Sequence, residues 1–177
     1  MSNLLRKHKN KLFIFLIVFL LSFSAIFLLS CENSTQLQCA TISEITSAGS
    51  ENYAVRINFL NDSRVEEKYV DVQIKCDKTC QLIFWEENQD KITLNIDDYD
   101  EWFSLTSLIC EAKGQTGQES FEKFKDATGK TYLFNYDGNL EITLRVVVGD
   151  VEDNSAGTGQ ILVGSEPISD QKTLKIK

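Results

Sequence analysis

The stretch that decides the fold is residues 70–84, VDVQIKCDKTCQLIF, near the middle of the 177-residue chain. Hydrophobic and polar side chains alternate there on both sides of residues 77–79. Alternation with a period of two is typical of β-strands that have one buried face. With residues 77–79 as a turn, the stretch is predicted to be a hairpin in which Cys76 and Cys80 lie opposite each other on the buried face.

The cysteine spacing predicts two disulfides. Opposed residues of an antiparallel pair have Cα atoms about 4.5 Å apart at a non-hydrogen-bonded position, within disulfide range. We therefore expect Cys76 to bridge Cys80, and Cys39 to bridge Cys110 over a longer separation. The two other connectivities of these four cysteines stay open. A redox or metal-binding use of the Cys76 and Cys80 pair is the functional alternative.

Further alternating segments predict a mainly β domain, with strands at residues 53–59, 92–96, 140–148 and 161–163. Asp137-Gly138 is a dipeptide typical of two-residue hairpin turns, and residues 149–159 are interpreted as an acidic loop. About seven short strands separated by turn signals are typical of an antiparallel β-sandwich or jelly roll, here with at most one or two short helices.

The helical signal is confined to the segment after residue 97. Asp98 with Glu101 three residues later resembles a helix start, and Lys113-Gly114 suits a helix end. Hydrophobic residues between these signals recur at near-helical spacing. The competing interpretation is one more strand over residues 102–110.

The N-terminal segment predicts export to a membrane. Four basic residues precede an apolar tract at residues 12–30, so the positive-inside rule places the body outside the cytoplasm, in the periplasm or at the cell surface. The tract ends at Leu28-Leu29-Ser30-Cys31, which resembles the lipobox of bacterial lipoproteins. That resemblance implies cleavage before Cys31 and acylation of its thiol, by palmitate among other chains. An uncleaved spanning helix and an ordinary secreted product are the alternatives.

The predicted organisation has four parts, which are the leader or anchor at residues 1–30, a polar tether at 31–51, a β-domain at 52–166 and a tail at 167–177. The chain has five cysteines, an odd number that exported proteins seldom carry. Lipidation of Cys31 would leave an even set for the two disulfides.

Composition excludes several function classes. The leader carries four of the 18 basic residues and none of the 26 acidic ones, which leaves 14 against 26, a net charge of −12. Such a surface repels nucleic acid and anionic head groups. The only histidine, His8, lies in the leader, so the body has no histidine for catalysis or zinc ligation.

Two acidic clusters are candidate calcium sites, because Ca²⁺ prefers grouped oxygen ligands. The first is formed by Asp97, Asp98, Asp100 and Glu101, and the second by Asp150, Glu152, Asp153 and Asn154. Neither has the spacing of a known calcium loop. A solvated acidic surface is the alternative, and no other cofactor is expected.

A candidate binding site surrounds Trp85, which follows the inward Phe84 and is predicted to point outward beside Glu86 and Glu87. An exposed tryptophan is typical of binding hot spots. The alternative is burial of Trp85 under a loop or a second layer.

These features favour a non-enzymatic protein, anchored to a membrane by lipid or helix, whose outer domain binds another envelope or surface protein. A carbohydrate or small-ligand module on a jelly-roll scaffold is the alternative, and a glycoside hydrolase that uses paired carboxylates comes third. The leader, the cysteine-containing β-domain and residues 136–140, YDGNL, together resemble extracytoplasmic modules of some type IV secretion channel proteins. That resemblance implies a place in an envelope assembly.

Overall fold

The computed structural model describes residues 37–45, 52–155 and 158–177, all within one compact unit that extends over Gln36–Lys177. In chain order the elements of these residues are β1 Ala40–Ile45, β2 Tyr53–Phe59, β3 Tyr69–Cys76, β4 Cys80–Glu86, β5 Ile92–Ile96, β6 Phe103–Ser104, α1 Leu105–Ala112, β7 Glu122–Lys123, a 3-10 turn Phe124–Asp126, β8 Lys130–Asn135, β9 Leu140–Asp153, β10 Gln160–Pro167 and β11 Lys172–Ile176. The predicted mainly β character is confirmed.

The strands form two antiparallel sheets. The first has the order β1-β2-β8-β4-β5. In the second, β9 lies between β3 on one side and both β10 and β11 on the other, and the short strands β6 and β7 pair with the far edge of β3. All of these pairs are antiparallel.

One hydrophobic core joins residues of both sheets. The alternating residues predicted to point inward are buried in it, including Val72 and Ile74 of β3 and Leu82 and Phe84 of β4. The ring of Phe84 lies 5.5 Å from that of Phe134 on β8. Because one face of each strand enters this core, the other face remains available for contacts outside it.

The two predicted hairpins are wrong, because in both cases the chain crosses from one sheet to the other. Residues 77–79 connect β3 of the second sheet to β4 of the first, and residues 136–139 connect β8 of the first to β9 of the second. Gly138 has φ +118° in the latter connection, which suits glycine. The alternation correctly predicted which face of these strands is buried, but it did not predict their distant partners, which are β9 for β3 and β8 for β4.

The helix is confirmed, although it starts later than predicted. Its N-cap is Ser104, whose hydroxyl accepts a hydrogen bond from the Ser107 N–H at 3.2 Å. The predicted start at Asp98 is wrong because Phe103 and Ser104 first pair with β3 as a short strand. At the other end Gly114 adopts φ +68° and donates to the Glu111 carbonyl, as the glycine signal predicted.

The C-terminal third contains more sheet than predicted. Strand β9 continues through Gly149 to Asp153, so the first part of the predicted acidic loop is a strand. A Cβ at Gly149 would lie 2.6 Å from the Val163 carbonyl oxygen, so this glycine permits close approach of β10. The predicted tail is also wrong, because β11 pairs with β9 over five residues.

The predicted leader, its tract and Cys31 lie outside the described residues. Within the part of the chain that is described, no helix has both the length and the apolar character needed to cross a bilayer.

Candidate functional site: a groove on the second sheet

Trp85, the predicted exposed platform, is buried, with 9 % of its surface exposed. The strand alternation was right, since Phe84 belongs to the shared core and Trp85 lies on the opposite face of β4. There Trp85 is paired in register with Leu133, and the ammonium of Lys91 lies 4.4 Å from its ring centroid. Glu86 is half-buried and Glu87 is exposed. The prediction of an outward aromatic surface is therefore wrong, and burial of Trp85 is correct.

The structure does not assemble the predicted metal ligands. Asp150, Glu152 and Asp153 are spread along β9, where successive side chains point to opposite faces. The Asp150 carboxylate accepts instead from the Lys68 ammonium at 2.7 Å. In the described ranges no three His, Cys, Asp or Glu side chains are grouped closely enough to hold a metal ion, and this includes the cluster near Asp98.

The four described cysteines are free thiols in the structure. Cys76 and Cys80 are in hydrogen-bond contact at the corner between the sheets, where the Cys76 thiol donates and the pKa of Cys80 is lowered. The disulfide between Cys76 and Cys80 stays a prediction. It would join the two strands where the chain crosses between the sheets, and not across a hairpin.

Cys39 and Cys110 have separate surroundings. The Cys39 thiol donates to the Asp62 carboxylate at 3.4 Å, whereas the charges that act on Cys110 are those of Glu119 and Lys113. Burial and Asp62 together raise the pKa of Cys39 to about 11. The structure therefore adds no support for a bridge between these two cysteines, which stays a prediction.

A groove of about 370 Å³ lies on the face of β3 that points away from the core. Asp71 and Gln73 of β3 line it together with Ser104 and Ser107 at the start of α1. Across from them stand Phe121 and the hydrophobic side chains Ile161 and Leu162 of β10. We call this feature the β3 groove.

Hydrogen bonds hold the far wall of the β3 groove together. The Asn154 side-chain amide donates to the Gly117 carbonyl at 2.7 Å, and the Phe121 N–H donates to the Gln160 side chain at 3.0 Å. A Cβ at Gly159 would lie 2.5 Å from the Gly117 carbonyl oxygen, so the close contact of these two segments requires a glycine. The loop before β7 and the β9–β10 turn thus form one wall.

Asp71 is the buried acid of the groove, with 4 % of its surface exposed. Its carboxylate accepts from the Thr106 hydroxyl at 2.8 Å and from the Thr106 N–H at 3.4 Å. Burial raises the pKa of Asp71 from its usual value near 3.8 to about 6, against the opposing effect of hydrogen bonds from Ser104 and Thr106. A carboxyl that joins β3 to the start of α1 therefore titrates close to neutrality.

We predict that Asp71→Asn abolishes one loss of folding stability that accompanies a rise in pH. Because the pKa of Asp71 is raised in the folded state, the native protein binds this proton more tightly, and stability falls as pH rises from about 4 to about 6. The difference between a pKa of 3.8 and one of about 6 corresponds to about 3 kcal/mol of folding free energy, and this contribution is absent in the amide variant. Urea unfolding at pH 4, 5, 6 and 8 measures this, with exposed Asp90→Asn as the control. An unchanged pH slope in Asp71→Asn would contradict the prediction.

Asp71 also borders a second, smaller cavity of about 90 Å³ on the side of the first sheet. Two further carboxylates, Glu86 and Glu122, line that cavity beside Tyr132. Burial, followed by the negative charge of these acids, raises the pKa of Tyr132. Glu122 is paired with the Lys130 ammonium at 3.5 Å.

The sequence patterns did not indicate the β3 groove. Asp71 and Gln73 occupy the polar positions of the alternating stretch, opposite the face that was predicted to be buried. The one available signal was an aspartate inside a strongly hydrophobic strand, where aspartate is disfavoured. Searches against protein-family models and curated proteins find no match for this chain.

Proposed function

We propose that this chain is a non-enzymatic binding protein, held at a membrane by its N-terminal segment, and that the β3 groove receives a segment of a partner protein in the cell envelope. The observation that carries the proposal is the groove itself. Its volume of about 370 Å³ lies within the roughly 300–1,000 Å³ range of ligand sites, which combine hydrophobic walls with a few polar groups.

The arrangement of the groove favours a protein segment. Ile161 on the far wall keeps 52 % of its surface exposed and lies close to the half-buried Leu162. The polar side chains of Gln73, Ser104 and Ser107 stand on the near side. A peptide offers both apolar side chains and backbone hydrogen-bonding groups, so it complements both sides.

Binding by strand addition is disfavoured at the β10 edge. The pairing of β10 with β9 shifts between Val163 and Glu166, and the strand ends at Pro167. Bulges and prolines at sheet edges block the addition of another strand. We therefore assign recognition to the groove rather than to that edge.

The finer fold assignment belongs to the same proposal. We infer that the two sheets form a β-sandwich, because buried residues of both belong to one hydrophobic cluster. A jelly-roll connection stays a prediction.

A carbohydrate ligand is the second candidate, favoured by the hydroxyl and amide groups of Ser104, Ser107 and Gln73 along the groove. Hydrolysis of a glycoside has less support. The cavity that gathers Asp71, Glu86 and Glu122 measures about 90 Å³, below the roughly 300 Å³ at which ligand pockets begin.

We predict that a photo-crosslinking residue at Thr116, which lines the groove and is exposed, captures a partner in intact cells. The adduct should be recovered in the membrane fraction, and Ser107→Trp should abolish it because the indole fills the groove. The matched control is the same crosslinker at exposed Thr93 of the first sheet. Equal capture from Thr93, or capture that Ser107→Trp leaves unchanged, would refute the groove as the binding site. Recovery in a soluble fraction would refute the anchor.

A further inference from the structure

Arg145 lies on the same outer face of the second sheet as the β3 groove. In the register of β3 and β9 it stands opposite Gln73, and its Nε donates to the Gln73 side-chain oxygen at 2.8 Å. Its Cζ lies 4.1 Å from the centroid of the Trp102 ring. Two neighbours of different chemistry therefore fix the plane of the guanidinium.

The position of Arg145 connects it to the groove. Gln73, which accepts its hydrogen bond, lines the groove directly. Ser104, also part of the lining, pairs with Gln73 on the other side of β3. Arg145, Gln73 and Ser104 thus form one row across three strands, and a segment bound in the groove would pass within reach of Arg145.

Arg145 has no acidic partner among the described residues, in a chain with eight more acidic than basic residues. Eight ion pairs join described residues, and Arg145 takes part in none of them. The neighbouring Lys75, which also approaches Trp102, is paired with Asp100 at 2.9 Å.

Partial burial makes the lack of an acidic partner unfavourable for the Arg145 guanidinium. Arg145 is half-buried, and loss of hydration lowers its pKa, whereas no anion acts on it in the opposite direction. A partly desolvated charge is stabilised when an opposite charge with matching geometry binds to it. The Nη groups, which are not used by Gln73, are the donors left for such a ligand.

We propose that Arg145, oriented by Gln73 and Trp102, binds a carboxylate of the protein segment in the β3 groove, from either an acidic side chain or a free C-terminus. The proposal rests on the proposed function, because it assumes that the groove receives a peptide. The planar guanidinium presents paired N–H donors that match the two oxygens of a carboxylate.

A carboxylate suits the local charge better than a phosphate. Arg145 provides a single positive charge, since the charge of Lys75 is balanced by Asp100. The acidic Asp71 lies on the same face of β3, two residues from Gln73, and opposes a dianion more strongly than a monoanion. Phosphopeptide binding is therefore an outcome that counts against the proposal.

The test uses the full chain in a non-ionic detergent and fluorescence anisotropy of labelled serine–leucine pentapeptides. One peptide has a central glutamate and an amidated C-terminus, a second has glutamine and a free C-terminus, a third has glutamine and an amide, and a fourth has phosphoserine and an amide. We expect one or both carboxylate peptides to bind at least about tenfold more tightly than the neutral one. The comparison between the first two identifies the source of the carboxylate.

Arg145→Gln should remove that preference, and Arg145→Lys should restore only part of it because an ammonium lacks the paired donors. Arg56→Gln is the matched control, since Arg56 is half-buried on the first sheet, donates to Asn58 and Thr131, and also has no ion pair among the described residues. Thermal unfolding of each variant checks that the fold is retained.

Several outcomes overturn the inference. These are equal affinity for the carboxylate and neutral peptides, an unchanged preference in Arg145→Gln, tighter binding of the phosphoserine peptide, or no binding of any peptide at millimolar concentration. If all peptides bind equally and Ser107→Trp abolishes binding, the groove function stands and the role of Arg145 fails. The two proposals are thereby distinguished.

Discussion

A chain shortened by residues 172–177 is expected to lose most of its folding stability. The removed segment contains β11, whose Leu174 and Ile176 each keep only 1 % of their surface exposed. Loss of a buried Leu or Ile side chain costs about 2–5 kcal/mol, so losing both removes at least about 4 kcal/mol. A domain has about 5–15 kcal/mol in total. Calorimetry should show a thermal midpoint lower by more than about 10 °C, or no cooperative transition.

The shortened chain also exposes the edge of β9. Residues Leu140–Leu144 of β9 pair with β11, and they would lose that partner. The control is Lys175→Gln, which changes an exposed side chain of the same strand whose ion pair with Glu141 spans 3.5 Å. Surface pairs contribute about 0–1 kcal/mol, so this variant should unfold close to the parent. A shortened chain with the parent's midpoint would show that β11 does not support the core.

The alternation of hydrophobic and polar residues shows which part of the fold can be predicted from the sequence. The inward positions of β3 and β4 are buried as predicted, because burial of one face is a local property of the pattern. The strand partners were not predicted. Residues 77–79 and 136–139 have turn chemistry that suits both a hairpin and a crossing between sheets, and long-range pairing decides between them.

The two ends of the helix also differ in how well the sequence predicts them. The end at Gly114 is set by a local requirement for positive φ, and the sequence gives that signal directly. The start was displaced from Asp98 to Ser104 because Phe103 pairs with Ile74 of β3, a contact between residues far apart in the sequence. Local capping signals cannot report a competing strand partner.

The β3 groove depends almost wholly on such distant contacts. Its near side comes from β3 and α1, and its far wall from the loop at Gly117 and the hairpin at Gln160. Arg145 becomes notable only once the register places it opposite Gln73 and the ion pairs of its neighbours are known. In the sequence it is one arginine in an alternating strand.

Trp85→Ala is the second variant for which a large effect is expected, and it changes how a binding experiment at this position is interpreted. The Trp85 side chain is buried. Leu133 is its register partner on β8, and the Lys91 ammonium lies over its ring. Truncation of buried aromatic residues costs about 3–5 kcal/mol. We expect about 3 kcal/mol here, the low end of that range, because the ring lies outside the shared core and water can fill part of the space.

Urea unfolding of Trp85→Ala should therefore show a lower midpoint with an unchanged slope, since the surface exposed on unfolding is nearly the same. Tyr99→Ala is the matched control, because Tyr99 is an aromatic residue with 60 % of its surface exposed and should change stability by less than about 0.5 kcal/mol. If Trp85→Ala unfolds at the parent's midpoint, the Trp85 side chain does not contribute to folding stability. If it destabilises as expected, loss of a partner in that variant reports reduced folding, and the groove variant Ser107→Trp is the one that tests binding.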